Sequence, residues 1–134
     1  MAADEPLVAT SGPNAAGGQP PCDVLVVEDD AAVRLSLAGV LEGEGWSVRA
    51  AADGAEALAL LRDGLRPRLV LLDLLMPVLH GWGLMAEIRS DPKLRSLLVV
   101  TLSGSGPIAE ADGHLAKPAG VEDVLAVVEL AARN

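Results

Sequence analysis

The stretch that decides the fold is LVLLDLLMPVLHG, residues 69–81. It opens with a continuous apolar run at 69–72, a pattern typical of a strand that is buried on both faces. Two further apolar runs, DVLVV at 23–27 and LLVVTL at 97–102, have the same character. The strands of an antiparallel sheet with one solvent-exposed face would alternate apolar and polar residues. These continuous runs therefore favour a parallel sheet that is covered by helices on both faces.

Segments of helical periodicity separate the apolar runs. Strands are predicted at 23–27, 47–51, 69–72, 97–102 and 114–116. The first helix is predicted to begin after Asp30, as N-cap, and to be ended by Gly43 and Gly45. Further helices are predicted over 53–62, 81–89 and 121–132. The first helix is expected to bury Val33, Leu37, Val40 and Leu41, and the last Val121, Val124, Leu125 and Val128. This alternation predicts a doubly wound α/β domain with five parallel strands.

Composition excludes several functional classes. The chain has 134 residues, of which 51% are hydrophobic, and its only aromatic residues are Trp46 and Trp82. The core is therefore aliphatic, and a base-stacking platform for single-stranded nucleic acid is excluded. A net charge of −9 disfavours nucleic acid and anionic membranes as partners.

Cysteine content and terminal sequences bear on the cellular compartment. A single cysteine, Cys22, allows neither an internal disulfide nor a thiolate metal cluster. The sequence shows neither the pattern of a signal peptide nor an apolar run long enough to span a membrane. We therefore expect a cytoplasmic protein. Residues 1–22, rich in small residues and proline, are expected to be a disordered leader, and 23–134 the folded domain.

Polar side chains follow four of the five predicted strands. Glu28 and Asp29 follow the first strand, Asp73 the third, Ser103 the fourth and Lys117 the fifth. The carboxyl ends of parallel strands meet at one edge of the sheet, where doubly wound folds bind their ligands. We therefore expect three carboxylates, a hydroxyl and an amine at one site.

The chemistry of that site points to phosphorylation of an aspartate. Two carboxylates 4 Å apart repel by about 4 kcal/mol at an effective dielectric constant of 20, so three of them call for a cation. Oxygen ligands without histidine or cysteine favour Mg²⁺. A carboxylate can attack phosphorus to form an acyl phosphate, while a lysine and a hydroxyl hold the phosphoryl oxygens. Asp73 is the predicted nucleophile.

These motifs together resemble the response-regulator receiver domain of bacterial two-component signalling. The resemblance covers about residues 22–132 and rests on VLVVEDD at 24–30, AADGAEAL at 51–58, LVLLDLLMPVLHG at 69–81, LSGSG at 102–106 and HLAKP at 114–118. It implies a flavodoxin-like sheet with strand order 2-1-3-4-5. It also implies a signalling phosphoacceptor rather than an enzyme, one that supports its own phosphotransfer and slow autodephosphorylation.

The resemblance implies a role for each site residue. Asp73 would be the phosphoacceptor, and Lys117 would contact the phosphate. Ser103 would supply the switch hydroxyl, with Thr101 as the alternative. The resemblance further implies that Mg²⁺ is held by Glu28, Asp29, Asp73 and the backbone carbonyl of Leu75. The phosphoryl donor would be a histidine kinase or a histidine phosphotransfer protein.

Two features depart from the family pattern. Ser103 and Lys117 are 14 positions apart. This spacing is shorter than the usual one in the family by about two helical turns. We therefore predict that the family's fourth helix is shortened or missing, and that the face it builds is remodelled or unused. His114 stands where many receivers have a tyrosine or phenylalanine that moves on activation. It is either a structural or surface residue or a replacement for that switch.

Three functional hypotheses remain. The first is a stand-alone receiver that has no output domain, because the sequence closes at Asn134, and that signals through protein–protein interaction. The second is a pseudo-receiver that binds its partner independently of phosphorylation. The third, an aspartyl phosphatase, is disfavoured, since Leu75 occupies the position of the second aspartate that such enzymes use as general acid.

Overall fold

The computed structural model describes residues 21–73, 81–103, 110–116 and 120–132. Within these ranges the side chains of residues 81, 82, 103 and 132 are outside the description. All structural statements below concern this part of the chain.

Five parallel strands form a single sheet. They are β1 (Val24–Val27), β2 (Val48–Ala51), β3 (Leu69–Asp73), β4 (Leu98–Ser103) and β5 (Gly113–Ala116). Their order across the sheet is β2-β1-β3-β4-β5, with every neighbouring pair parallel. The predicted doubly wound sheet of order 2-1-3-4-5 is confirmed. The strand order reverses between β1 and β3, and this places their carboxyl ends at the binding crevice of such folds.

Four helices are described, and they cover both faces of the sheet. They are α1 (Ala31–Gly43), α2 (Gly54–Arg62), α3 (Gly81–Ser90) and α4 (Val121–Ala132). Among the described residues, no helix has the length and apolar character needed to cross a membrane.

Alternate strand residues supply two separate core layers. On β3, Val70 and Leu72 pack in a layer with side chains of α2 and α3, including Leu61 and Ile88. The neighbouring β3 residues Leu69 and Leu71 pack in the opposite layer with α1 and α4. Because successive strand side chains point to opposite faces, a sheet buried on both sides requires the continuous apolar runs seen in the sequence.

Side chains cap the first two helices, and the cap at Asp30 was predicted. Asp30 accepts hydrogen bonds from the backbone N–H groups of Ala32 (2.9 Å) and Val33 (3.2 Å) at the start of α1. Asp53 accepts one from Glu56 N (2.8 Å) at the start of α2. Both caps satisfy amide groups that have no partner within the helix.

Two predicted core residues are exposed instead. Val33 is 42% exposed and Val121 is 53% exposed. Each lies in the first turn of its helix. The other residues of the two predicted apolar faces are buried or half-buried, among them Leu41 of α1 and Val124 and Val128 of α4.

The connection between β4 and β5, residues 104–112, is short, and we call it the short crossover. It has nine residues, fewer than the roughly eleven that three helical turns need. Parallel strands are usually joined by a dozen residues or more. The predicted shortening of the family's fourth helix is therefore confirmed by the strand boundaries. Of the predicted remnant at 107–111, residues 107–109 lie outside the described residues.

Arg89 of α3 ties the end of the short crossover to the body of the domain. Its guanidinium donates four hydrogen bonds of 2.8–2.9 Å, to the backbone carbonyls of Arg95, Leu97 and Glu110 and to the carboxylate of Asp112. The same carboxylate oxygen accepts a hydrogen bond from Val99 N at 2.8 Å. Side-chain bonds thus hold the start of β5 in place beside β4.

Cys22 is a buried thiol at the beginning of the sheet. It packs in the core layer of α2 and α3, and its Sγ donates to the carbonyl of Val24 at 3.2 Å. Burial raises the pKa of the Cys22 thiol, so less of the reactive thiolate exists at pH 8 than in an exposed cysteine.

We expect native Cys22 to react slowly with iodoacetamide at pH 8. The rate should be at least about tenfold lower than in 6 M urea, because the reagent reaches the thiol only when the chain opens locally. Alkylation followed by mass spectrometry measures both rates. Equal rates in the native and the unfolded protein would contradict the burial of this side chain.

Candidate functional site

Three carboxylates meet where β1 and β3 end. Asp73 is the last residue of β3, and Glu28 directly follows β1. The parallel register pairs Val27 with Leu72, so Glu28 and Asp73 are the next residues on adjacent strands. Asp73 is 1% exposed and Glu28 is 3% exposed, whereas Asp29 is exposed.

The carboxylate cluster, as we name Glu28, Asp29 and Asp73, has the composition of a hard-cation site. One oxygen from each residue lies within 4.8 Å of the others. At that separation, two charged carboxylates repel by about 3–4 kcal/mol at an effective dielectric constant of 20. Oxygen-only donors with two buried members suit a small divalent cation, which offsets that repulsion. Sequence reasoning predicted these three residues as a group, and the structure brings them together.

Hydrogen bonds with β2, with α1 and within the loop itself fix the loop that carries Glu28 and Asp29. Glu28 N donates to Ala51 O of β2 at 3.1 Å, and Glu28 Oε2 accepts from Asp30 N at 3.2 Å. Arg34 of α1 donates through Nη1 to Glu28 O at 2.9 Å. These bonds fix the backbone of the loop and the Glu28 carboxylate before any ligand arrives, which lowers the entropy lost on binding.

Arg34 belongs to the site, although no sequence motif pointed to it. A signal was present, because a cation near the first turn of a helix opposes the helix dipole and calls for a specific partner. Here that partner is the backbone of the acidic loop, since Arg34 Nη1 also lies 3.4 Å from Asp29 O. Which carbonyls an arginine reaches depends on the loop conformation, which the sequence pattern does not contain.

The remaining predicted site residues are only partly described. Ser103 is the last residue of β4, and the register pairs its neighbour Leu102 with Asp73. Ser103 itself pairs with Ala116, the residue before Lys117. The side chain of Ser103, and Leu75 and Lys117 as a whole, lie outside the described residues.

Thr101 and His114 form a buried pair across β4 and β5. Thr101 is fully buried; its Oγ1 donates to Gly113 O at 3.4 Å and lies 3.1 Å from His114 Nδ1. His114 Nε2 is also buried, and it has no hydrogen-bond partner among the described residues. The Thr101 hydroxyl is thus hydrogen-bonded to the neighbouring strand, as expected for a strand residue. The same contact holds the His114 side chain in the sheet.

Comparison with known proteins identifies relatives of the chain. A family model described as "Response regulator receiver domain" matches residues 24–129. The response regulator MprA of Mycobacterium sp. (strain KMS) is 42% identical over 112 residues, which cover 79% of this chain and 48% of that protein. The chain therefore spans about half the length of the curated relatives that it matches.

Solved structures show the same architecture. The receiver domain of NtrX from Brucella abortus is 34% identical with a TM-score of 0.71, and the match covers 84% of this chain and 99% of that chain. The chemotaxis protein CheY4 of Vibrio cholerae is 26% identical with a TM-score of 0.74 over 84% of this chain and 99% of that chain.

Proposed function

Because this chain belongs to the response-regulator receiver family, we propose that it is the phosphoacceptor of a two-component phosphorelay and receives its phosphoryl group on Asp73. The carboxylate cluster carries this proposal. A buried aspartate at a strand end, beside two further carboxylates, is suited to a cation-assisted nucleophile.

The proposed reaction is a phosphoryl transfer from a phosphohistidine. An oxygen of the Asp73 carboxylate attacks phosphorus, the P–N bond of the donor breaks, and the imidazole leaves with its electron pair. Glu28, Asp29, Asp73 and the backbone carbonyl of Leu75 would hold Mg²⁺. When bound, this ion would neutralise the charge that gathers on the carboxylates and the phosphoryl oxygens.

Ser103 and Lys117 are proposed to contact the phosphoryl group. Support comes from the register, which places the backbone of Ser103 one residue beyond the partner of Asp73 and beside Ala116. A serine hydroxyl would donate to one phosphoryl oxygen, and the lysine ammonium would contribute a point charge to another. Movement of these two residues on phosphorylation would change the surface that a partner protein reads.

The proposed partners follow from this chemistry. The phosphoryl donor would be a histidine kinase or a histidine phosphotransfer protein in the cytoplasm, and the output would pass through protein–protein contact rather than through nucleic acid or membrane. The phosphorylated state would end by slow hydrolysis of the acyl phosphate at the same site.

Intact-mass spectrometry after incubation with acetyl phosphate tests the proposed function. We expect one phosphoryl adduct, about 80 Da, that forms with Mg²⁺ and not with EDTA. A relay donor, a phosphorylated histidine phosphotransfer domain, should be tried in parallel, since a protein donor is the proposed substrate. The absence of an adduct with both donors would contradict the proposal.

Mg²⁺ should stabilise the fold through the carboxylate cluster. At a concentration 100 times its dissociation constant, a ligand that binds only the native state adds about 2.7 kcal/mol to the free energy of unfolding. We expect this gain in the wild type and its loss in Asp29→Asn. Asp30→Asn is the matched control, because it removes the same charge one residue away while asparagine still caps α1. Thermal denaturation with Mg²⁺ and with EDTA measures the effect, and equal gains in both variants would contradict the assignment of Asp29.

The pseudo-receiver remains a second candidate because of His114. Its Nδ1 hydrogen bonds with the buried Thr101, so the side chain at the usual switch position is already held within the sheet. NMR spectra with Mg²⁺ and beryllofluoride, a phosphoryl mimic, separate the two candidates. Shifts confined to the carboxylate cluster would favour the pseudo-receiver, and shifts that extend to β5 would favour the switching receiver.

A further inference from the structure

A cavity lies at the opposite edge of the sheet from the carboxylate cluster. It has a volume of about 290 Å³ and is lined by Glu44, Gly45, Trp46, Leu125 and Glu129, and we call it the Trp46 pocket. The turn that supplies its first three residues precedes β2, so it lies at the amino edge of the sheet. The site is therefore separate from the proposed phosphorylation chemistry.

The walls of the Trp46 pocket are held by the fold. Three backbone hydrogen bonds of 3.0–3.1 Å tie the turn of residues 44–46 back to α1, at the carbonyls of Leu41 and Glu42. Gly45 takes the left-handed conformation (φ 97°), which keeps this tight turn free of strain. Trp46 and Leu125 are half-buried and pack against the core layer of α1 and α4. The apolar base is thus formed before any ligand binds.

The lining residues combine an apolar base with two negative charges. Glu44 and Glu129 are exposed, and neither Gly45, Trp46 nor Leu125 brings a positive charge to the pocket. An ionised carboxylate offers about four acceptor positions, so each can receive further hydrogen bonds from a ligand. An indole wall also favours cations. The matching ligand has an aliphatic stem and a cationic, hydrogen-bond-donating end.

We propose that the Trp46 pocket binds a basic side chain, arginine or lysine, presented by a partner protein. The volume lies just below the range of small-molecule sites, about 300–1,000 Å³, and suits one long side chain. The stem would lie against Trp46 and Leu125 while the cationic end meets Glu44 and Glu129. The net charge of −9 would attract a basic protein surface over a longer range.

NMR titration of the full ¹⁵N-labelled chain tests this site. The probe is N-acetyl-arginine methylamide, and its neutral counterpart is N-acetyl-citrulline methylamide. We expect a saturable shift of the Trp46 indole N–H with the arginine probe, and at least about fivefold weaker binding of the citrulline probe. Trp82, whose backbone lies at the start of α3 and which does not line the pocket, supplies a second indole N–H signal as an internal reference that should not shift.

Variants assign the binding to the two carboxylates. Glu44→Gln and Glu129→Gln should each weaken the arginine probe about threefold, and Glu42→Gln, an exposed neighbour that does not line the pocket, should leave its affinity unchanged. Equal binding of the citrulline probe, or unchanged affinity in the Glu44→Gln/Glu129→Gln double variant, would overturn the proposal. Spermidine that binds more than tenfold tighter than the arginine probe would overturn the side-chain assignment in favour of a free polyamine. None of these outcomes depends on Asp73.

Discussion

We expect Asp73→Asn to abolish the phosphoryl adduct, with a loss of at least two orders of magnitude in the rate of its formation, because a neutral amide is not a nucleophile toward phosphorus. Asparagine has nearly the same shape as aspartate, so the fully packed end of β3 should tolerate the change. Intact mass after incubation with acetyl phosphate and Mg²⁺ measures the result.

Asp53→Asn is the matched control for this variant. It removes the same charge from the N-cap of α2, where asparagine caps as well as aspartate does. We expect the control to form the adduct at the wild-type rate. An adduct on Asp73→Asn that equals that of the control would show that another residue accepts the phosphoryl group.

The carboxylate cluster predicts a second property of Asp73→Asn. Removal of one of three mutually repelling carboxylates should leave the protein at least as stable as the wild type in EDTA, even though the residue is buried. A fall of several degrees in the thermal midpoint in EDTA would mean that the charge of Asp73 is itself needed by the fold. The same measurement therefore shows whether a lost adduct reflects lost chemistry or lost structure.

Arg89→Ala should destabilise the fold by about 2–3 kcal/mol. The Arg89 side chain is only 22% exposed, and the variant removes its four hydrogen bonds. The carbonyls of Leu97 and Glu110 and the carboxylate of Asp112 are among the acceptors that lose their donor. Charge-assisted hydrogen bonds contribute about 1.5–3 kcal/mol each when well shielded, and less when water can replace the donor. Urea denaturation measures the free energy of unfolding.

Arg62→Ala provides the comparison. Arg62 also pairs with a carboxylate, that of Glu87 at 3.0 Å, but both side chains are about half exposed. Exposed pairs of this kind contribute about 0–1 kcal/mol, so we expect a small effect. Equal losses in the two variants would show that Arg89 acts only as a surface charge and does not brace the short crossover.

The sequence patterns were sufficient for the strands and for the edge of the sheet where the carboxylates meet, while the strand order followed from the family resemblance. A strand buried on both faces needs a continuous apolar run, and LVLL before Asp73 is such a run between two segments of helical periodicity. Once the strands are parallel, Glu28 and Asp73 have to end at the same edge. The N-caps Asp30 and Asp53 were predictable for the same reason, since capping depends on residues three or fewer positions away.

Only the tertiary structure decided the contacts between distant segments. The periodicity of α1 and α4 predicted buried Val33 and Val121, yet their burial depends on whether the sheet reaches the first turn of the helix. The partners of Arg34 and Arg89, the pairing of Thr101 with His114 and the walls of the Trp46 pocket all join residues through the register of strands or the path of loops. Local sequence patterns determine which helices and strands form, because helix and strand propensity and the periodicity of apolar residues depend on a few neighbouring residues. Packing determines which side chains meet, because that requires the positions of all elements at once.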